Sequence, residues 1–446
     1  MAKIDPQAIL GGLIAGAKAA GADAADAMLV ENVSASVSYR LGKLEDVERA
    51  ESQDMGLRVF VGQKVAFVSS TDFSKDSLAQ LPGRAVAMAK LAPEDKFAGL
   101  APKERLATRY PDLDIEDRNE PPAETLVEWA RSAEGAAMAV KGVTNSEGGG
   151  ASFSRTAIAL ATSHGFYGAY AGTSSGVSAS VVAGDGTGME RDYDYASARH
   201  TSDLTGAEAI GRSAGERAVK RLHPRKVKSQ AVPIVYDPRV SGGLVGHFVG
   251  AISGSSIARG VSFLKDMMGR QIFPSSINII DDPHRLRGLR SKPFDGEGVA
   301  NRRWALIENG VLQTWLLESA SARQLGLETT GHAARGTGGP PSPAPTNLYM
   351  EAGTLTPEAL IGDIKDGFYV TELIGMGVNG VTGDYSRGAA GFWIENGALA
   401  FPVSEITIAG SLKDMFRELT PANDLEFKHA TNAPTIRIEG MTVAGA

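Results

Sequence analysis

The chain reads as an α+β protein of two domains, with mixed sheets flanked by helices and a β-rich C-terminal half. Three observations predict this. Its 446 residues exceed the ~250–300 that a single core usually serves. Glycine accounts for 53 of them, above the usual ~7%, and much of the excess falls in alternating runs that read as strands and turns. Helix and strand signals follow one another irregularly, without the repeated βα unit of a parallel sheet.

Leu10, Leu13, Ile14 and Ala17 recur at helical spacing, so the chain opens on an amphipathic helix. Lys3, the apolar stretch 8–17 and the small residues up to Ala20 imitate a secretory signal. Asp5 and Pro6 interrupt its charged end, however, and Gly11, Gly12 and Gly16 dilute its apolar part, so a cytoplasmic location is expected. Strands are predicted over 34–41, 57–61 and 65–69, with a Gly62-Gln63 turn between the last two. Residues 74–91 read as a helix in which Pro82 forces a late start or a kink. A long connection runs from Leu91 to about Pro122. Leu126, Val127, Ala130, Ala133 and Ala137 mark the next helix.

Strands follow over 151–161, 165–171 and 177–183. Between the last two, Gly172-Thr-Ser-Ser-Gly176 matches the serine nucleophile elbow by letter, but flanking strands make it a hairpin turn. Thr205 and Glu208 form a capping-box pair for a helix striped by Ile210, Ala214, Ala218 and Leu222. The basic run from Arg217 to Lys228 reads as a helix end followed by a solvated linker. The domain boundary falls here: 1–226, in halves of about 1–105 and 120–226, and then 227–446.

The second domain begins with a strand at 232–236. Asp237 as N-cap and Pro238 at the first helical position then start a helix over 238–252. One stripe carries Val240, Leu244, Phe248 and Ile252, and another carries Gly243, His247, Gly250 and Gly254. Asn309-Gly310 and Asn396-Gly397 mark two hairpins. Thr356-Pro357 starts a helix that Gly367 stops, and 331–345 reads as a mobile Gly/Pro/Ala loop.

The absence of cysteine excludes disulfides, thiolate zinc sites, iron–sulfur clusters and a thiol nucleophile. A net charge of −7 argues against a nucleic-acid binder, and no apolar run reaches the ~18–20 residues of a membrane helix. Gly375-x-Gly377-x-x-Gly380 has the letters of a dinucleotide fingerprint, yet a glycine-rich loop follows it instead of a helix. No two of the seven histidines lie within a helical turn or two of each other, so no local zinc-peptidase pair exists. Asp281, Asp282 and His284 flank Pro283 in what reads as a solvated acidic turn. Asp295 and Glu297 sit in a Gly-rich turn, where spacing leaves a functional pair and a surface loop both open.

Several long segments in order carry a resemblance. They are VYDPRVSGGLVGHFVGAISGSS from Val235, FDGEGVANRRWALIENGVLQTWL from Phe294, TNLYMEAGTLTPEALI from Thr346, the stretch from Gly367 through GMGVNGVTGDYSRGAAGFWIENG, and the tail APTIRIEGMTVAGA. Over nearly its whole length the chain resembles the TldE (PmbA) branch of the TldD/PmbA family. That resemblance implies one of two homologous chains forming a zinc metallopeptidase for unstructured peptides. TldD-like chains hold the metal with a His-Glu-x-x-x-His helix and a late cysteine. Aligned on that helix, the two His positions fall on Gly246 and Ala251 and the Glu position on His247, while no cysteine is present. The resemblance therefore implies no metal ligand and no catalytic residue on this chain. Zinc and general base would come from a TldD-like partner in a heterodimer, with a homodimer left open where that partner is lacking. Gly246, His247, Gly250, Gly254, Asn347 and Tyr349 become candidates for a peptide channel or subunit interface. Two rival readings are a non-enzymatic regulator of DNA gyrase or of a toxin–antitoxin pair, and a self-sufficient hydrolase using Ser or Asp/Glu chemistry.

Overall fold

The computed structural model describes residues 5–445; Lys3, part of the signal-like pattern, and the final Ala446 lie outside them. The first domain contains α1 (Pro6–Ala19), β1 (Ala24–Arg40), β2 (Lys43–Val61), β3 (Lys64–Ser70), α2 (Lys75–Leu91), α3 (Ala123–Met138), β4 (Val143–Thr162), β5 (Tyr167–Ala183), β6 (Glu190–Ala198) and α4 (Ala207–Lys220). Its strands form one antiparallel sheet in the order β3-β2-β1-β4-β5-β6. The β1–β4 pairing, with Asp26 opposite Thr162, joins the stretches before and after the long connection into this single sheet.

The period of two along a strand decides what each face meets. Ala25, Ala27 and Leu29 pack under α1 and α2, and Val37 packs under α3. Met28, on the opposite face, packs with Leu160, Phe166 and Phe294, the last from the second domain. Four helices thus cover one face of the sheet and the second domain covers the other. The helices α3 and α4 cross closely because Gly211 has no side chain; a Cβ there would lie 1.9 Å from the Ala133 carbonyl oxygen.

The second domain contains β7 (Gln230–Tyr236), α5 (Pro238–Ala251), α6 (Gly254–Ala258), β8 (Ile279–Asp281), β9 (Trp304–Glu308), β10 (Val311–Leu312), α7 (Ser319–Leu325), β11 (Ala333–Ala334), β12 (Ser342–Pro343), β13 (Leu348–Met350), α8 (Pro357–Ile361), β14 (Asp366–Ile374), β15 (Asp384–Glu395), β16 (Ala398–Ser411), α9 (Leu412–Arg417), β17 (Leu419–Pro421), β18 (Thr431–Asn432) and β19 (Ile436–Ala444). Strands β16-β15-β14-β7-β19 run side by side, and β16 pairs again with β19, which closes a barrel. The β7–β14 pair is parallel, so the mixed sheet belongs to this domain. A smaller sheet, β10-β9-β8-β13-β18, lies beside it. Helix α5 packs against β14 of the barrel and against β13 and β18 of the smaller sheet.

Local chemistry explains many elements. Asp5 caps α1 by accepting from the N–H groups of Gln7 and Ala8. Asn309 and Asn396 take φ of 49°, and Gly310 and Gly397 take 78° and 79°, as two-residue hairpin turns require. No helix among the described residues is long and apolar enough to cross a membrane.

Other expectations are corrected. Helix α2 starts at Lys75 and contains Pro82, which is buried against Gly16 of α1. Gly172–Gly176 lies inside the continuous strand β5, not in a turn. Thr205 and Glu208 form no capping box; Gly206 is the N-cap of α4 and makes no side-chain cap bond. Helix α8 ends at Ile361, and Gly367 belongs to β14. The supposedly solvated Arg221 is mostly buried; it pairs with Glu190 and Asp192 of its own domain and, across the boundary between the domains, with Glu372. The 331–345 loop is pinned to the first domain. Thr337 donates to Asp54 at 2.8 Å, and its carbonyl oxygen lies where a Cβ on Gly56 would be, 2.1 Å away.

Candidate functional site

Helix α5 builds the site. Asp237 accepts from the Arg239 N–H at 3.0 Å, Pro238 occupies the first helical position, and the Tyr369 hydroxyl donates to the other Asp237 oxygen at 3.0 Å. Arg239 pairs with Asp192 of β6 at 2.8 Å and lies over the Tyr193 ring, which ties the helix start to the first domain. Leu244, Val245 and Phe248 anchor the inner face in the main core. That packing has to offset several glycines, each costing up to ~1 kcal/mol relative to Ala inside a helix.

The outer face opens on a cleft of about 300 Å³. Gly246, His247, Gly250 and Ala251 form its floor, with Phe263, Met376, Val378, Gly380, Arg387 and Leu412 as walls. A Cβ built on Gly246 or Gly250 would meet nothing within 4 Å. These glycines therefore leave space open and mediate no close approach within the chain. Gly254 does the reverse: its Cβ would lie 2.6 Å from Leu317, so it serves internal packing at the start of α6 and is no part of the cleft. The His247 ring stands edge-on to Tyr385 at 5.9 Å. Burial first, and then the Arg387 guanidinium, push its pKa below the ordinary value, so the imidazole is neutral at pH 7.

Asn347 and Tyr349 lie on β13 and line no part of this cleft. Asn347 is a staple: it accepts from the Arg290 N–H at 2.9 Å and donates to the Asp282 carbonyl at 2.7 Å and to Ser291 at 2.8 Å. Tyr349 packs edge-on against Phe427 at 5.1 Å. Sequence reasoning missed Arg387 and the 376–380 wall. The signal for Arg387 was present, because strand alternation places it on the same face as Tyr385. The wall is the fingerprint-like glycine loop, which leads into β15 without an intervening helix.

A second polar centre joins the domains. Asp26 of β1 and Arg58 of β2 are buried side by side, with Arg58 Nε donating to Asp26 at 2.9 Å. Arg335 reaches Asp26 at 2.7 Å, and Glu297 lies 3.5 Å from Arg58. The expected solvated turn at 281–284 is also inside: Asp281 is buried, sits 3.2 Å from His332 Nε2 and accepts from Thr346 N and Oγ1 at 2.6 and 2.7 Å. Asp295 accepts from the N–H groups of Glu297, Val299 and Ala333. Burial, reinforced by Glu297, pushes its pKa up to about 7. A raised carboxyl pKa means the folded state binds more protons than the unfolded state between about pH 4 and 7, so this group's contribution to stability falls as pH rises through that window. Asp295→Asn is therefore expected to be better tolerated at pH 8 than at pH 5 in urea unfolding. A stability difference independent of pH would show that Asp295 stays ionised throughout.

This architecture, one antiparallel sheet under four helices followed by a barrel domain with a helix-floored groove, has known counterparts. The chain matches the models of the PmbA/TldA metallopeptidase domain 1 over 25–89, the central domain over 116–222 and the C-terminal domain over 229–445. It belongs to the PmbA/TldD metallopeptidase family, on the PmbA (TldE) branch. Metalloprotease PmbA of Escherichia coli O157:H7 is 40% identical over 95% of this chain and 92% of its own length. The Metalloprotease PmbA homolog of Haemophilus influenzae is 38% identical over 92% and 90%. A Bacteroides thetaiotaomicron protein described as a candidate modulator of DNA gyrase superposes with a TM-score of 0.91 at 25% identity, covering both chains fully. TldE from Thermococcus kodakarensis superposes at 0.88 with 21% identity over 98% of this chain and all of its own, a likeness of fold.

The family's description implies a metal, and the α5 cleft does not suit one. Zinc sites take at least three protein ligands from Cys, His, Asp and Glu. The cleft offers one imidazole, no carboxylate and a guanidinium that repels a cation. Among the described residues, no group of three or more His, Asp or Glu converges to hold a metal ion.

Proposed function

We propose that the chain is the non-catalytic subunit of a cytoplasmic, heterodimeric zinc metallopeptidase that cleaves unstructured peptides, with a TldD-like homologue as partner. The observation that carries this reading is the character of the α5 cleft: open glycines, one neutral histidine and an arginine where a metallopeptidase helix would need a ligand set. Zinc on the partner would supply the activated water. This chain's own residues would shape the peptide path. A glycine floor admits an extended backbone, which protein edges bind through main-chain hydrogen bonds with little sequence preference. Arg387 would hold a peptide carbonyl or carboxylate at the wall.

The test is to purify this chain alone and together with the TldD-like homologue, and to measure bound zinc and cleavage of an unfolded peptide. Neither is expected from the chain alone, and both from the pair. Stoichiometric zinc or cleavage by the isolated chain would overturn the reading.

A further inference from the structure

A second concavity, of about 630 Å³, lies where the two domains meet and shares no lining residue with the α5 cleft. Its walls come from residues 104–106 of the long connection, 300–302 and 304, 313–315 and 317, and 327–330. This volume falls in the range of small-molecule and side-chain pockets, ~300–1,000 Å³. Two of the chain's four tryptophans line it. Trp304 is fixed by a hydrogen bond from its indole N–H to the Thr330 carbonyl at 3.0 Å, and the Arg302 guanidinium lies 4.0 Å over its ring. Trp315 is nearly buried, while Met268 and Leu327 stand at the mouth, 40% and 49% exposed. Two cations, Arg105 and Arg302, face two carboxylates, Glu104 and Glu328, and Arg105 is paired with Glu328 at 3.1 Å. These charges sum to zero, so the cleft presents indole, Met268 and Leu327 surfaces within a polar rim of no net charge.

The cleft is tied to the α5 groove through the backbone. Leu316 N–H donates to the Ile252 carbonyl at the end of α5, and Gly254 N–H donates back to the Leu316 carbonyl at 2.8 Å. The segment between α6 and β8 contributes Phe263 to the groove and Met268 to the cleft. The groove and the cleft are thus coupled through one backbone junction and one connecting segment.

We infer that this two-tryptophan cleft is a side-chain subsite for an aromatic residue of an extended, unstructured peptide. The peptide as ligand rests on the function proposed above, but the site needs neither zinc nor partner. An aromatic side chain packed against tryptophan gains more than the area it buries accounts for, which favours an aromatic over an aliphatic occupant.

The experiment uses the full chain alone and follows tryptophan emission and calorimetry. The probes are an unstructured Gly/Ser-rich peptide with one phenylalanine, the same peptide with alanine in its place, and free indole. The phenylalanine peptide is expected to bind at least tenfold more tightly than the alanine peptide and than indole. Trp304→Ala should remove that preference. Leu327→Asp, at the exposed mouth and so compatible with folding, should weaken it severalfold. Equal affinity for the two peptides, indole binding as tightly as the peptide, or binding unchanged in both variants would each overturn the subsite. Because no cleavage is measured, failure of the paired-peptidase reading is seen separately in the zinc and cleavage assay.

Discussion

Arg335→Ala is expected to destabilise the protein by about 3–5 kcal/mol, the usual consequence of stripping one partner from a buried ion cluster. Asp26, Arg58, Glu297 and Arg335 form a set of two anions and two cations, with side chains at most 6% exposed. Asp26 is squeezed between both arginines. Burial raises its pKa, but Arg335 and Arg58 outweigh burial and hold it below the ordinary aspartate value. Removing Arg335 leaves one negative charge without compensation in a place water does not reach. It also removes one of the ties between the 331–345 loop and the first domain's sheet, leaving the Thr337–Asp54 bond in place, so the domains lose a tie as well as a charge. The sign of the pH dependence follows. A depressed carboxyl pKa contributes stability above its unfolded value, near 3.8–3.9, and loses it as pH falls through the folded value. Wild type and variant should therefore converge in strongly acid solution and separate near neutrality. Urea unfolding at pH 7 would measure the gap, and a loss below 1 kcal/mol would show that the remaining three charges rearrange without penalty.

Gly250→Trp should leave the fold intact and abolish most peptide cleavage by the reconstituted pair, by at least tenfold. A Cβ at Gly250 meets nothing within 4 Å, and the residue lies on the exposed face of α5. Replacing a helical glycine by a residue of better helical propensity does not weaken the helix. An indole side chain would instead occupy the 300 Å³ cleft above His247. The expected pattern is unfolding at an unchanged or slightly higher urea midpoint, with turnover lost. Unchanged pairing together with unchanged cleavage would remove the cleft from the peptide path.

These two sites differ in how far they could be read from the chain. The helix that floors the α5 cleft is legible because its start and its stripes are local: Asp237-Pro238 opens it, and apolar residues at helical spacing bury its inner face. The residues facing the cleft from elsewhere are harder to read. Arg387 is brought in by β15, 140 residues after His247, and only pairing within the barrel places it there. Gly254 shows the opposite failure. It continues the glycine stripe on a helical projection, yet α5 ends at Ala251 and the chain turns into α6, so Gly254 faces Leu317 instead.

The ion cluster was not legible at all. Asp295 and Glu297 in a Gly-rich turn, and Asp281 beside Asp282 and Pro283, have the composition of solvated loops. Burial of a charge depends on the partner that reaches it, and here the partners are remote: Arg335 meets Asp26 across 309 residues, and His332 meets Asp281 across 51. Gly172–Gly176 failed for a related reason. Small residues read as a turn locally, but in β5 they are held straight by pairing with β4 along the whole motif and with β6 from Ser175 onward.

By itself, the amino-acid sequence determined the α+β class, the two Asn-Gly hairpins, the capped starts of α1 and α5, and the family. Each of these is written in residues close together or in long ordered segments. Only the tertiary structure decided that one sheet spans the first domain, that the barrel closes through β16 and β19, and that Asp26, Arg58, Glu297 and Arg335 form a buried ion cluster between the domains. Capping and turn formation are governed by dihedral preferences within a few residues. Burial and charge compensation depend on which distant segments the folded chain brings together.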